Sequence, residues 1–279
     1  MNFRHPKIIG IHAKTQGNLR LLLASLPFFV LIVMYLIASD IKLKENPDYK
    51  LLPSVPQMIE EVNRVGFTIN QRTEKYDLWE DTYASMKRIV IATLASTVFG
   101  LLLGLNLGVF PGFQAIFKNF LTFFSIIPPL AVLPILFIVF GVGELSKGVL
   151  IFIGAFPVIA FNIFNEINQI PREQIIKCLT LGASELQVAY RIILPQLMPR
   201  LISSVRLILP AVILFLIASE GIASDVGLGY RIYLQKRYMN MALIIPYVLW
   251  ITFLAYMMDY ILKTISTRCF AWYENDTTK

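Results

Sequence analysis

A chain of 279 residues with 56% hydrophobic and 15% charged side chains, at a mean hydropathy of +0.65, is too apolar for an ordinary soluble domain, in which roughly a quarter of residues are charged. The formal net charge of +7 falls largely beside apolar segments, so membrane topology accounts for it and no nucleic-acid partner is needed. The two cysteines, Cys178 and Cys269, show neither metal spacing nor an evident disulfide pairing.

Six stretches approach the ~20 apolar residues that cross about 30 Å of hydrocarbon: roughly 19–39, 89–110, 117–141, 148–166, 202–219 and 242–264. The first follows a basic leader (1–18) that carries Arg4, Lys7 and Lys14, with Arg20 at the start of the apolar run. That run is too long for the core of a secretory signal and no A-x-A site follows it, so it reads as a retained anchor.

Residues 40–88 form an amphipathic segment between the first two spans. Ser54 and Gln57 have capping-box spacing, and Met58, Ile59, Val62 and Val65 share one helical face, for a helix lying on the membrane surface or on the bundle. DLWEDTYASMKR (77–88) then leads helically into the second span.

Within the second span Ser96, Gly100, Gly104 and Gly108 repeat every four residues, a stripe that lets another helix approach closely. Asn106 on the same helix can hydrogen-bond across the bundle or face a pathway. The third span holds Pro128, Pro129 and Pro134, so its helix must bend or break. Freed carbonyls at that depth fit a packing kink and the lining of a translocation path equally. Asp259 in the last span has Lys263 four residues on, a local ion pair.

Lysine and arginine near short loops set the orientation. The leader, the 167–206 loop (Arg172, Lys177, Arg191, Arg200, Arg206) and the tail (Lys263, Arg268, Lys279) all come to the cytoplasmic side of a six-span chain. Catalytic motifs are missing: no G-x-x-x-x-G-K-[ST], H-E-x-x-H or G-x-S-x-G occurs, and the two histidines, His5 and His12, lie in the leader. No catalytic residue and no metal site are expected, so uphill movement must draw its energy from elsewhere.

PREQIIKCLTLGASELQVAYRIILPQLMPR (171–200) interrupts two apolar runs with charges, a glycine and three prolines. Pro171 can begin a short helix with Ile175, Ile176 and Leu179 on one face, and Gly182 can end it. Ser184 caps a second helix with Gln187 in the capping-box position, and Leu186, Ala189, Tyr190 and Ile193 form its buried face. Pro195 stops that helix. The segment is a compact lobe, too amphipathic to span the bilayer.

The pattern G-x9-I-x-L-P, present as Gly182, Ile192, Leu194 and Pro195, resembles the "EAA" cytoplasmic loop of type I permease subunits of bacterial ABC importers. IPPLAVLPILFIVFGVGELSK (127–147), ASMKR (84–88) and ASEGIASDVGLGYRI (218–232) are similar to the nitrate, sulfonate and taurine branch, and the likeness runs from LLPSVPQMIEE to the tail. GYRIYLQKRYMNMALIIPYVLWITFLAYMMDYIL (229–262) also looks like permeases encoded beside urea carboxylase and linked to guanidine use. One departure stands out: Ile176, Lys177 and Cys178 occupy the place of Glu-Ala-Ala, with Glu173 one turn earlier to supply negative charge at the helix N-terminus.

The resemblance implies an all-α, six-helix type I permease fold in the inner membrane, with a cytoplasmic helix-turn-helix coupling loop. Its core would be 89–265, its coupling loop 171–200 and its tail 266–279. It also implies a second permease copy, a cytoplasmic ATPase dimer that binds ATP and Mg, and a periplasmic or lipid-anchored solute-binding protein. Glu173, Ile176, Lys177, Gly182, Ala183, Ser184, Glu185, Leu194 and Pro195 are the expected ATPase-coupling residues. Ser125, Pro128, Pro129, Glu220 and Asp225 are candidates for the path of a small polar solute, although the resemblance favours a structure-ordering role for Glu220, and Asp225 equally fits a surface loop or a contact with a binding protein. The competing reading, a secondary transporter or channel without an ATPase, predicts internal repeats and charged midplane residues, neither of which is present.

Overall fold

The computed structural model describes residues 17–46, 49–71 and 74–273; the expected basic leader with Arg4, Lys7 and Lys14, and Lys279 of the tail, lie outside them. Every element among the described residues is helical. Among the described residues five helices are long and apolar enough to cross a membrane, or six if a bent pair counts as one span.

The first span, α1 (Gly17–Glu45), runs past its apolar core because Asp40–Lys44 and Lys42–Glu45 pair along its last turns. Its apolar side chains are almost all exposed. Tyr35 Oη donates to Pro53 O at 2.7 Å, and Ser39 Oγ donates to Leu52 O and Pro53 O, which ties α1 to the turn before α2 (Val55–Phe67).

Ser54 and Gln57 close the expected capping box on α2. The helix lies on the bundle, where Val65 packs with Leu243, Tyr247 and Ile251. Its inward face is Met58, Val62 and Val65, whereas Ile59 points outward; the 3.6-residue repeat carries Ile59 about 100° from Met58.

The second span, α3 (Asp77–Val109), begins in the loop as a continuous helix. Its small-residue stripe lies against α6 (Glu144–Asn168): Gly100 faces Ile159, Gly104 faces Ala160 and Ile163, and Gly108 faces Ile167. Asn106 donates its amide to Leu102 O of its own helix at 2.7 Å, in place of a bond across the bundle. The third span breaks as the prolines require. α4 (Pro111–Ile126) and α5 (Pro129–Phe140) meet at 95°, with Pro128 before the first turn of α5 and Pro134 within it.

After α6 come α7 (Arg172–Thr180), a short capped turn α8 (Glu185–Gln187), a π-helical stretch at Val188–Ile193 and α9 (Leu194–Ile222). α10 (Leu228–Arg237) and α11 (Met241–Cys269) complete the chain. The core lies between α6 and α9, where Leu150, Ile159 and Ile163 meet Leu197, Val212 and Leu216. α7 and α8 project at one end of the bundle, the lobe end, and α10 covers the far end.

The close approach of α3 and α6 makes the stripe sensitive to added volume. A Cβ at Gly104 would stand 2.6 Å from Ala160 O, so Gly104→Val is expected to lose about 1–3 kcal/mol, seen as a lower Tm in detergent. Gly112→Ala, where a Cβ meets nothing within 4 Å, should leave Tm unchanged.

Candidate functional site

The lobe is built from two local signals in the sequence. Gly182 adopts φ +88°, Ala183 N–H donates to Cys178 O and Gly182 N–H to Leu179 O, so a Schellman motif closes α7. Two residues later Ser184 and Gln187 satisfy each other's backbone donors at 2.9 and 3.3 Å, starting the next helix as their spacing predicts.

Pro195 does not stop that helix. It sits at the second position of α9, and helical structure continues from Glu185 to Ile222, 38 residues in all. A proline has no N–H to give the carbonyl four residues back and its ring crowds that carbonyl. Here the preceding turn widens, and Leu194 N–H donates to Ala189 O, five residues back. The second helix of the lobe is therefore the beginning of the fifth span.

Widening the turn also shifts the buried face. Val188, Ala189, Ile193 and Leu197 point inward, while the expected members Leu186 and Tyr190 are exposed. In α7, Ile175 and Cys178 pack against the core, and Ile176, Leu179 and Leu181 face outward, Leu181 at 87% exposure. Glu173, Lys177, Gly182, Ser184, Glu185 and Pro195 are exposed beside this apolar patch, with Ala183 and Leu194 half-buried at its edge. Seven of the nine expected coupling residues, from Glu173 to Glu185, thus lie on the α7–α8 projection, and Leu194 and Pro195 stand at the start of α9. Behind it, Arg200 donates to the backbone and side-chain oxygens of Glu166, fastening α9 to α6.

The far end holds a second polar constellation, buried where the lobe is open. Glu220, at 0% exposure, accepts from Ser85 Oγ at 2.8 Å, Arg88 Nη1 at 2.6 Å and Gly229 N–H at 2.8 Å. Ser85 Oγ in turn accepts from Leu228 N–H at 2.8 Å. Asp81 accepts from Gly227 N–H, Arg231 Nε and Tyr247 Oη at 2.9, 2.8 and 3.2 Å, and Arg231 reaches Asp77 as well. Burial works against the charge of Arg231, but the hydrogen bond and field of Asp81 outweigh it and hold its pKa above the ordinary arginine value. Arg88 also forks onto Glu144 of α6, and the buried Lys147 donates to Ser224 Oγ at 3.0 Å.

Beside this network a groove of about 1200 Å³ runs between α3 and α6, lined by Trp79, Tyr83, Lys87, Arg88, Glu144 and Phe152 among others. None of the five expected path residues lines it. Ser125 is exposed on α4 and donates to Thr122 O. Pro128 and Pro129 form the α4–α5 bend, Asp225 is exposed in the turn before α10, and Glu220 is sealed inside the network. Asp259 pairs across helices with Arg206, at 2.7 and 3.0 Å, and not with Lys263; a two-pronged guanidinium fork on a facing helix is stronger than a lysine on the same one. No group of three or more His, Cys, Asp or Glu able to hold a metal occurs among the described residues.

Sequence reading missed Asp81, Ser85, Arg88 and Arg231. The signal was available: Asp77, Asp81, Ser85 and Arg88 recur at helical spacing, a polar stripe leading into an apolar span. Glu220→Ala should cost about 1–3 kcal/mol, because it leaves the buried Ser85 Oγ and Gly229 N–H without their acceptor and Arg88 with Glu144 as its one carboxylate partner, whereas Asp225→Asn at the exposed neighbouring turn should leave stability unchanged. Thermal unfolding of the two variants in the same detergent checks this.

The comparisons with known proteins follow the same outline. The family described as "Binding-protein-dependent transport system inner membrane component" matches residues 96–270. The taurine transport system permease protein TauC of Escherichia coli K12 is 29% identical over 196 residues, covering 70% of this chain and 71% of the relative. The nitrate import permease protein NrtB of a Synechocystis strain is 29% identical over 189 residues, covering 65% and 67%. Among solved structures, a chain of the inward-facing MetNI methionine ABC transporter superposes with a TM-score of 0.62 at 19% identity, over 71% of this chain and 99% of that one. With five to six apolar spans in an all-helical bundle and a family match over more than half its length, this chain belongs to the binding-protein-dependent transport system inner membrane components, with the type I permease fold of ABC importers.

Proposed function

We propose that the lobe at 171–200 is the surface on which a cytoplasmic ATPase docks, and that two copies of this chain enclose a path for a small polar solute delivered by an external binding protein. The supporting observation is one continuous helix, Glu185–Ile222. Its first turns belong to the exposed lobe and its last turn carries Glu220 into the far-end network. A push on the lobe reaches the far end through a body that does not bend freely.

In this reading the N-terminus, lobe and tail lie in the cytoplasm, the 40–88 segment and α10 face the periplasm, and the membrane is the bacterial inner membrane. ATP and Mg are bound by the partner, whose closure moves the two lobes and exchanges inward for outward access. The solute is of the taurine, sulfonate or nitrate kind named for the relatives, or of the guanidine or urea kind. The exposed residues of the lobe, Glu173, Ile176, Lys177, Glu185 and Leu181, make the contact, and Gly182 fixes its angle.

Gly182 is the test position because a Cβ there meets nothing within 4 Å while its φ of +88° disfavours any other residue. Gly182→Val strains the turn without crowding a neighbour. The variant is expected to insert normally and to lose stimulation of the partner ATPase by loaded binding protein in proteoliposomes. Full stimulation in that variant would remove the lobe from the mechanism.

A further inference from the structure

α3 and α6 run side by side, but different forces hold their two ends. Toward the lobe, contact is close packing, with Gly100, Gly104 and Gly108 seated on Ile159, Ile163 and Ile167. Toward the far end the two helices wall the groove, and an ionic bridge joins them beside it: Arg88 Nε and Nη2 donate to Glu144 Oε2 and Oε1, each at 2.6 Å. The glycine-seated end has no slack, so any widening of the groove falls at the end that the ion pair bridges.

The two arms of Arg88 sit in different surroundings. Its Nη1 donates to Glu220 and to Val226 O at 2.6 and 2.9 Å, in the buried network. The Glu144 side chain is 67% exposed, and its second cation, Lys147, stands at 3.4 Å. The Arg88 side chain is 8% exposed, so the fork is open to water on the Glu144 side alone, where salt screens it, whereas a buried charge stripped of every partner is strongly destabilising. Glu144 also opens α6 directly after Gly141, with φ +76°, and Gly143, and a Cβ at either glycine would meet nothing within 4 Å. The joint preceding Glu144 therefore has room at its two glycines, while α6 is held just beyond it by the buried Ser146 and Lys147.

We propose that the Arg88–Glu144 pair is a releasable clasp on the groove between α3 and α6: Arg88 stays anchored on Glu220, and the groove opens at the far end when Glu144 lets go. This rests on the permease reading for its use, since the clasped mouth is then the external gate.

The test uses the full chain in lipid nanodiscs, with Cys178 and Cys269 replaced by serine and spin labels at Tyr83→Cys and Leu145→Cys, exposed positions on the two groove walls. Pulsed EPR reads the distance between them. Glu144→Gln is expected to raise the long-distance population about threefold, the share an ion pair open to water on one side controls, with Tm unchanged. Raising salt from roughly 0.05 to roughly 0.5 M should widen the wild-type distribution and add nothing in Glu144→Gln. Arg88→Lys keeps the charge but cannot fork onto both carboxylates, and should widen the distribution too. Unchanged distances in both variants, or equal salt response in wild type and Glu144→Gln, overturn the clasp. Because the measurement needs neither ATPase nor binding protein, the clasp can fail while the permease reading stands, and failure of an ATPase to co-purify can remove the permease reading while the clasp stands.

Discussion

The carboxylate of Glu220 is the charge around which the far end is arranged. A carboxylate without solvent costs several kcal/mol unless its lone pairs are taken, and taking them recruits Ser85 and Arg88 from α3 and the backbone of α10 at Gly229. Gly227 is required there twice over: its φ is +140°, and a Cβ on it would meet the Glu220 carboxyl. Asp81 repeats the arrangement one turn away, holding Gly227 N–H and Arg231. Two acids thus fold the DVGLG turn back onto α3. The bookkeeping closes well, for among the described residues Thr93 Oγ1 is the one buried side-chain nitrogen or oxygen without a partner.

A network of that kind fixes position only if the helix bearing Glu220 is itself stiff. The 38 residues from Glu185 to Ile222 would extend roughly 57 Å at the α-helical rise, and three prolines, Pro195, Pro199 and Pro210, lie within them. The first is absorbed by the π-helical stretch. Ser203 and Ser204, one turn beyond Pro199, back-bond to the carbonyls of Pro199 and Arg200, and the Arg200–Glu166 and Arg206–Asp259 pairs brace α9 against α6 and α11. The helix is held from the side as well as along its axis.

Local signals in the sequence were reliable where one short motif decides the outcome. Ser54–Gln57, Gly182 and Ser184–Gln187 did what their spacing implies, because a cap is satisfied within four residues and needs no tertiary partner. The proline break was legible for the same reason, and the glycine stripe because its four-residue repeat marks a close helix contact, though not which helix supplies it. Misreadings fell where two local rules compete or where the partner is distant. Pro195 obeys the rule that proline opens a helix, once a wider turn removes the rule that it ends one, and that turn moved Leu186 and Tyr190 outward. Asp259 had a suitable lysine on its own helix and an arginine 53 residues away, and nothing local reveals the second. Arg88 was unreadable as a connector because its three acceptors come from α6, α9 and the turn before α10.

Exposed apolar residues mean different things at the two levels of the molecule. Along the spans they are solvated by lipid and identify no partner. At the lobe the same side chains stand among Arg172, Glu173, Lys177, Glu185 and Arg191, charges that hydrocarbon would exclude, so Ile176, Leu179, Leu181 and Leu186 are left in water unless something covers them. The departure from the Glu-Ala-Ala pattern divides along the same line. Cys178, in the place of the second alanine, is half-buried against the core and keeps the role of a small inward residue. Ile176 and Lys177, in the places of the acid and the first alanine, are both exposed. The departure therefore falls on the face the lobe presents, where an apolar side chain with a cation beside it stands in the place of the acid, and the inward position keeps a small residue.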